Sequence, residues 1–138
     1  MTERFLAYLD PGEESALLAA VSVKSFNRGD VVLDQNVSLR VIFVIDSGSV
    51  RVERMNGSQA VELAILSSGE FFGEMSFVDG ARTSARVVAR EFTQVRMIDV
   101  ATVDNLEQTD STFSSRLYRS IAAILANRLR TTSLDIYS

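Results

Sequence analysis

The residues best suited to chemistry lie close together, in the segment from Gly69 to Ala85. Gly73 frees the backbone to come close to a ligand. A short helix beginning near Glu74 would aim unpaired N–H groups at an anion. Arg82, Thr83 and Ser84 supply the charge-assisted and hydroxyl hydrogen bonds that phosphate oxygens accept. Glu74 is out of place beside a bare phosphate, but it fits a ligand that also offers hydroxyl donors, as a ribose does. Each residue has a plainer role as well: Gly73 as a turn, Glu74 as a first-turn helix acid, Arg82 as its solvated partner. Glu70 and Glu74 could be imagined as a carboxylate pair for glycosidic or metal chemistry. Without further acids around them, they read as unconnected surface groups.

What is missing narrows the chemistry further. The 138 residues include no His, no Cys and no Trp. That rules out zinc sites built on Cys or His, a Ser-His-Asp triad and a Cys nucleophile. No catalytic residue and no metal ligand set is expected. With 14 basic against 18 acidic side chains, the net charge of −4 is a poor basis for non-specific nucleic-acid binding. All the basic residues except Lys24 are arginines, a type suited to directed contacts with carboxylate or phosphate. No run approaches the ~18 apolar residues of a membrane span. The N-terminus lacks the basic and apolar regions of a signal peptide. Cytoplasmic placement is expected.

The elements that must position this segment are legible from patterning. The length suits one domain over residues 1–138, large enough to bury a core without disulfides. Helices are expected over about 1–22. Phe5, Leu6 and Leu9 form one apolar stripe, and Asp10-Pro11-Gly12-Glu13 starts a second helix as cap, first-position proline and capping-box acid. Over about 23–99, short runs rich in Val, Ile and Phe alternate with turn signals every 8–12 residues, which predicts an antiparallel sandwich or barrel. Val41–Ile45 is continuously apolar, as in a strand buried on both faces, and Asn56-Gly57 signals a hairpin. Two helices are expected over about 100–134, one capped by Asp99 and a longer one capped by Asp110 or Ser111 and running to about Thr132. The long helix carries Phe113, Leu117, Ile121, Ile124, Leu125 and Leu129 at i, i+3, i+4 spacing. This stripe suits either a dimer seam or a face packed on the sheets, because Ala122, Ala123 and Ala126 widen it. Arg116, Arg119, Arg128 and Arg130 on the same helix read as a solvated face.

From about Phe5 to Arg130 the sequence resembles the cyclic nucleotide-binding domain family. Phe72-Gly73-Glu74-Met75-Ser76-Phe77 matches the first half of that family's phosphate-binding cassette, and Ser84-Ala85-Arg86-Val87 matches its end. Arg28-Gly29-Asp30, Gln35 and the stretch from Phe43 to Val50 resemble its β-roll glycine signature. The resemblance implies a mainly β fold with flanking helices: an antiparallel β-roll of about eight strands, N-terminal helices, a short helix in the cassette (71–85) and a long C-terminal helix. It also implies roles. Glu74 would accept the ribose 2′-hydroxyl, and Gly73 would lie against the sugar. N–H groups around Met75 and Ser76 would meet the cyclic phosphate, and Leu63, Ala64 and Phe71 would line the base side. Leu125 or Arg128 would cap the base.

The cassette departs from the family pattern at one point. Aligned without a gap on Ser84-Ala85, Thr83 takes the position of the family's phosphate arginine and Arg82 that of the usual proline. A one-residue gap instead gives Arg82 the arginine's place and Thr83 that of the following Ser/Thr. Asn36 stands where the family usually has Gly. The function implied is a non-enzymatic sensor that binds cAMP or cGMP as a regulatory ligand, with no other cofactor. It would signal through the C-terminal helix to a second copy or an effector protein. The alternative is a degenerate member that keeps the fold, has lost the ligand, and serves as an interaction or dimerisation module.

Overall fold

The computed structural model describes residues 9–137, without the side chains of residues 109 and 131–137. Phe5 and Leu6 of the first expected helix lie outside the described residues, and Leu9 is buried. The elements run α1 (Pro11–Ala20), β1 (Ser22–Phe26), β2 (Val31–Leu33), β3 (Val41–Ser47), β4 (Ser49–Asn56), β5 (Gln59–Ser67), β6 (Phe71–Phe72), α2 (Glu74–Asp79), β7 (Arg86–Ala89), β8 (Thr93–Asp99), α3 (Val100–Thr109) and α4 (Phe113–Tyr137). The eight strands form two four-stranded sheets, ordered β1-β8-β3-β6 and β2-β7-β4-β5, and every pairing is antiparallel. This is the expected β-roll with its flanking helices.

Strand β3 shows why the roll forms. Successive side chains of a strand point to opposite faces. Val41, Phe43 and Ile45 enter a core between the sheets, with Phe26, Val50, Phe72 and Val95. Ile42 and Val44 enter a second core, with Leu17, Phe77, Ile98 and Leu117. A strand covered on both sides needs an unbroken apolar run, and Val41–Ile45 supplies it.

Helix α1 starts as its residues dictate. The Asp10 carboxylate accepts from the Glu13 N–H at 2.8 Å, the Glu13 carboxylate accepts from the Asp10 N–H at 3.1 Å, and Pro11 follows the cap. Asp99 caps α3 by accepting from the Thr102 N–H. Other local details differ from expectation. Asn56 pairs with Gln59, so the β4–β5 turn is Gly57-Ser58, one residue beyond the Asn56-Gly57 signal, with Gly57 taking the positive φ. The Asp110 carboxylate accepts from the N–H and hydroxyl of Thr112, and α4 begins at Phe113 rather than directly after Asp110 or Ser111. It continues to Tyr137, past Thr132, because no Gly or Pro stops it.

One face of α4 packs on the sheets. Phe113, Leu117, Ile121 and Ile124 are buried in the helix–sheet core, whereas Leu129 is exposed. Arg116 and Arg128 of this helix are tied down rather than solvated. Arg116 pairs with Glu13 of α1 and Asp110 of the α3–α4 turn, and its hydrogen bond is the main reason the Glu13 carboxyl lies below its ordinary range. Arg128 pairs with Glu74 of α2. Among the described residues, no helix is long and apolar enough to cross a membrane.

Candidate functional site

The site is built outward from β3. Strand β6 pairs with it through Phe43↔Phe72 and Val44↔Phe71, and the Phe43 and Phe72 rings stack at 4.9 Å. Gly73 then turns the chain at φ +85°. A Cβ there would lie 2.5 Å from the Val41 carbonyl oxygen and 3.3 Å from the Phe43 ring. The glycine is therefore required by close approach to the protein's own strand. Helix α2 follows, anchored by the fully buried Phe77. The Arg40 guanidinium holds the end of α2 by donating twice to the Phe77 carbonyl, at 3.1 and 2.7 Å.

A pocket of about 380 Å³ opens against this turn. Of the residues singled out in the sequence, Leu63, Ala64, Phe71, Gly73, Glu74, Met75, Ser76, Thr83 and Ser84 all line it, and Arg82 does not. Leu63 and Met75 are exposed and form an open apolar rim, while Phe71, Glu74 and Ser76 are buried behind them. Glu70 also lines the pocket, with its carboxylate accepting from the N–H and hydroxyl of Ser67 at the end of β5. Among the described residues, no cluster of three or more acidic side chains could hold a metal ion.

The loop after α2 fixes where Arg82 and Thr83 point. Thr83 is buried, and its hydroxyl accepts from the Val37 N–H at 3.0 Å and donates to the Asp34 carbonyl at 2.7 Å. Main-chain bonds from Asn36 N–H to the Thr83 carbonyl (2.8 Å) and from Thr83 N–H to the Val37 carbonyl (2.9 Å) complete the stitch. Asn36 sits at φ +62°, a left-handed conformation that Asn tolerates. It thus does the work of the glycine expected there. Arg82 is exposed and donates to the Asn36 carbonyl at 3.0 Å. In neither alignment does a loop arginine enter the pocket.

The cation that does line it comes from α4. Arg128 Nη1 donates to Glu74 Oε1 at 3.2 Å, and its guanidinium carbon lies 4.7 Å from the centre of the Phe71 ring. Burial pushes the Glu74 carboxyl above its ordinary value of 4.5, and its own backbone N–H and Arg128 offset this only partly. The sequence held a signal for Arg128. It continues the buried series Leu117, Ile121, Ile124 at the next helical step, and a charge on a buried face requires a partner. The arrangement offers an apolar slot, a buried acid that can accept from a hydroxyl, and a guanidinium on an aromatic face.

Comparison with known proteins agrees with this architecture. Residues 23–110 match the family model described as "Cyclic nucleotide-binding domain". The cyclic GMP-binding protein C of Dictyostelium discoideum is 32% identical over 115 residues, covering 83% of this chain and 4% of that protein. The cyclic AMP receptor protein of Thermus thermophilus is 31% identical over 133 residues, covering 93% of this chain and 58% of that protein. This chain therefore spans less than two thirds of either relative. The crystal structure of the Thermus thermophilus catabolite activator protein matches with a TM-score of 0.83 at 29% identity, covering 96% of this chain and 61% of that one.

Proposed function

The chain belongs to the cyclic nucleotide-binding domain family, and on that premise we propose that it is a non-enzymatic regulatory domain whose cassette binds cAMP or cGMP. The observation that carries this reading is the buried Glu74 carboxylate in a pocket with an apolar wall. Glu74 accepts the ribose 2′-hydroxyl. The Gly73 turn lies along the sugar, and the backbone N–H groups of Met75 and Ser76 meet the phosphate. Leu63, Ala64 and Phe71 take the base. Its setting is cytoplasmic.

Signalling follows from the contact between pocket and helix. Arg128 ties α4 to Glu74, so a ligand at Glu74 changes the stability of the docked helix and shifts its population. The output surface is what α4 leaves uncovered: Ala122, Ala126 and Leu129, spaced i, i+4, i+7, all exposed or only half-buried. A second copy or an effector protein docks there.

Isothermal calorimetry with cAMP and cGMP tests the reading. Saturable heat is expected, with stabilisation of about 2.7 kcal/mol at a ligand concentration near 100 times Kd. No heat and no thermal shift at millimolar ligand would sink it. A second reading, a degenerate domain acting as an interaction module, draws support from Arg82 resting on the Asn36 carbonyl and from the committed Thr83 hydroxyl. It expects Glu74→Ala to leave the output intact and Leu129→Glu to break self-association. Ile121 cannot serve as that probe, because it is fully buried in the core.

A further inference from the structure

The charge balance of the pocket carries one step beyond the cyclic nucleotide reading, on which it rests. Among the described residues, the ionisable groups lining the pocket are Glu70, Glu74 and Arg128. Two carboxylates and one guanidinium make a poor receptacle for an anion unless that guanidinium meets it. The two loop residues that could have served are otherwise engaged: Arg82 donates to the Asn36 carbonyl outside the pocket lining, and the Thr83 hydroxyl is bonded to Asp34 and Val37. Arg128 is paired as well, with Glu74, but it stands in the pocket wall and over Phe71. It is positioned by a helix whose neighbouring turns, through Leu117, Ile121 and Ile124, are packed into the core.

We propose that Arg128 of α4, not a residue of the cassette loop, pairs with the anionic group of the ligand. The planar fork of a guanidinium suits a two-oxygen anion. The ligand's phosphate then bridges the cassette backbone and α4. Glu74 keeps the ligand's hydroxyl, and the Arg128–Glu74 contact is exchanged for Arg128–phosphate. Binding of a charged ligand is thereby tied to the docked position of α4. An uncharged ligand that fills the same slot gains no such tie.

The experiment compares wild type with Arg128→Gln, Arg128→Lys and Arg82→Gln. Calorimetry measures cAMP and cGMP, with adenosine and guanosine as uncharged counterparts. Arg128→Gln should weaken cyclic nucleotide binding by about 10–100-fold, the range for one hydrogen bond to a charged group, and leave the nucleosides much less affected. Arg128→Lys should recover part of the loss, and it keeps the test readable if the Gln variant fails to melt cooperatively. Arg82→Gln should matter less than Arg128→Gln. The inference is overturned if Arg128→Gln binds cyclic nucleotides as tightly as wild type or tighter, because Arg128 then only competes for Glu74. Equal losses for nucleotides and nucleosides also overturn it, since they assign Arg128 to the base. A wild-type chain that binds no cyclic nucleotide overturns the underlying reading along with the inference.

Discussion

Gly73→Ala tests how the cassette is anchored, and its cost divides into two parts. The first is conformational: Gly73 sits at φ +85°, and a left-handed residue with a Cβ costs about 1–2 kcal/mol. The second is steric: the new methyl would stand 2.5 Å from the Val41 carbonyl oxygen and 3.3 Å from the Phe43 ring. Neither neighbour can easily move. Val41 is paired to Asp99 in the β3–β8 ladder, and Phe43 is stacked on Phe72 in the inter-sheet core. Overpacking of a filled site costs about 1–3 kcal/mol, so the total is about 2–5 kcal/mol. Gly29→Ala isolates the first part, because Gly29 has nearly the same φ, +90°, and a methyl there would meet nothing within 4 Å. Urea and thermal unfolding of the two variants supply the comparison. Gly73→Ala should lower Tm by on the order of 10 °C and Gly29→Ala by about half as much. Ligand affinity should fall only in the first, because Glu74 is the next residue along. Equal losses of stability in the two variants would refute the claim that β3 fixes the cassette turn.

Two further outcomes follow from the same geometry. Thr83→Val keeps the shape of the pocket wall but strips the partner from the Val37 N–H and the Asp34 carbonyl, so it should cost about 1–3 kcal/mol in urea unfolding; a change within about 0.5 kcal/mol, the range of ordinary surface substitutions, would contradict the stitched-loop account. Glu74→Gln should change stability in a pH-dependent way. The folded-state carboxyl lies above its ordinary value because of burial, so the native state holds this proton more tightly than the unfolded chain does. That stabilisation is complete below the ordinary value of 4.5 that the unfolded chain has, and declines as pH rises through the raised folded value. Gln has no such decline, so the variant should gain on wild type between about pH 4 and pH 7. Parallel urea melts at the two pH values read this directly, and a constant difference would show that Glu74 is not desolvated.

Much of the fold was written locally. The capping box at Asp10–Glu13 needs only residues three apart. The two-faced burial of β3 shows in an apolar run of five, and the α4 stripe shows in its spacing. The near half of the cassette is local too, since β6, Gly73 and α2 follow one another in the chain. What could not be read there concerned partners far apart in sequence. Where Arg82 and Thr83 point depended on bonds to Asp34, Asn36 and Val37, 46 to 49 residues away. Spacing alone left the α4 stripe equally suited to a dimer seam, because a helix displays its apolar faces without saying which of them a sheet will cover.

By itself, the sequence determined the element types, the two-layered core, the acid at position 74 and the absence of His and Cys chemistry. Each of these depends on side-chain type and on periods of two or about 3.6 residues, which the chain carries openly. The tertiary structure alone decided where the positive charge stands. Arg128 meets Glu74 across 54 residues, because docking Leu117, Ile121 and Ile124 into the core places the next step of the same helical face at the pocket. A charge on a helix has no assigned partner until packing fixes the helix's rotation, and here that rotation brings Arg128 to the pocket beside Glu74.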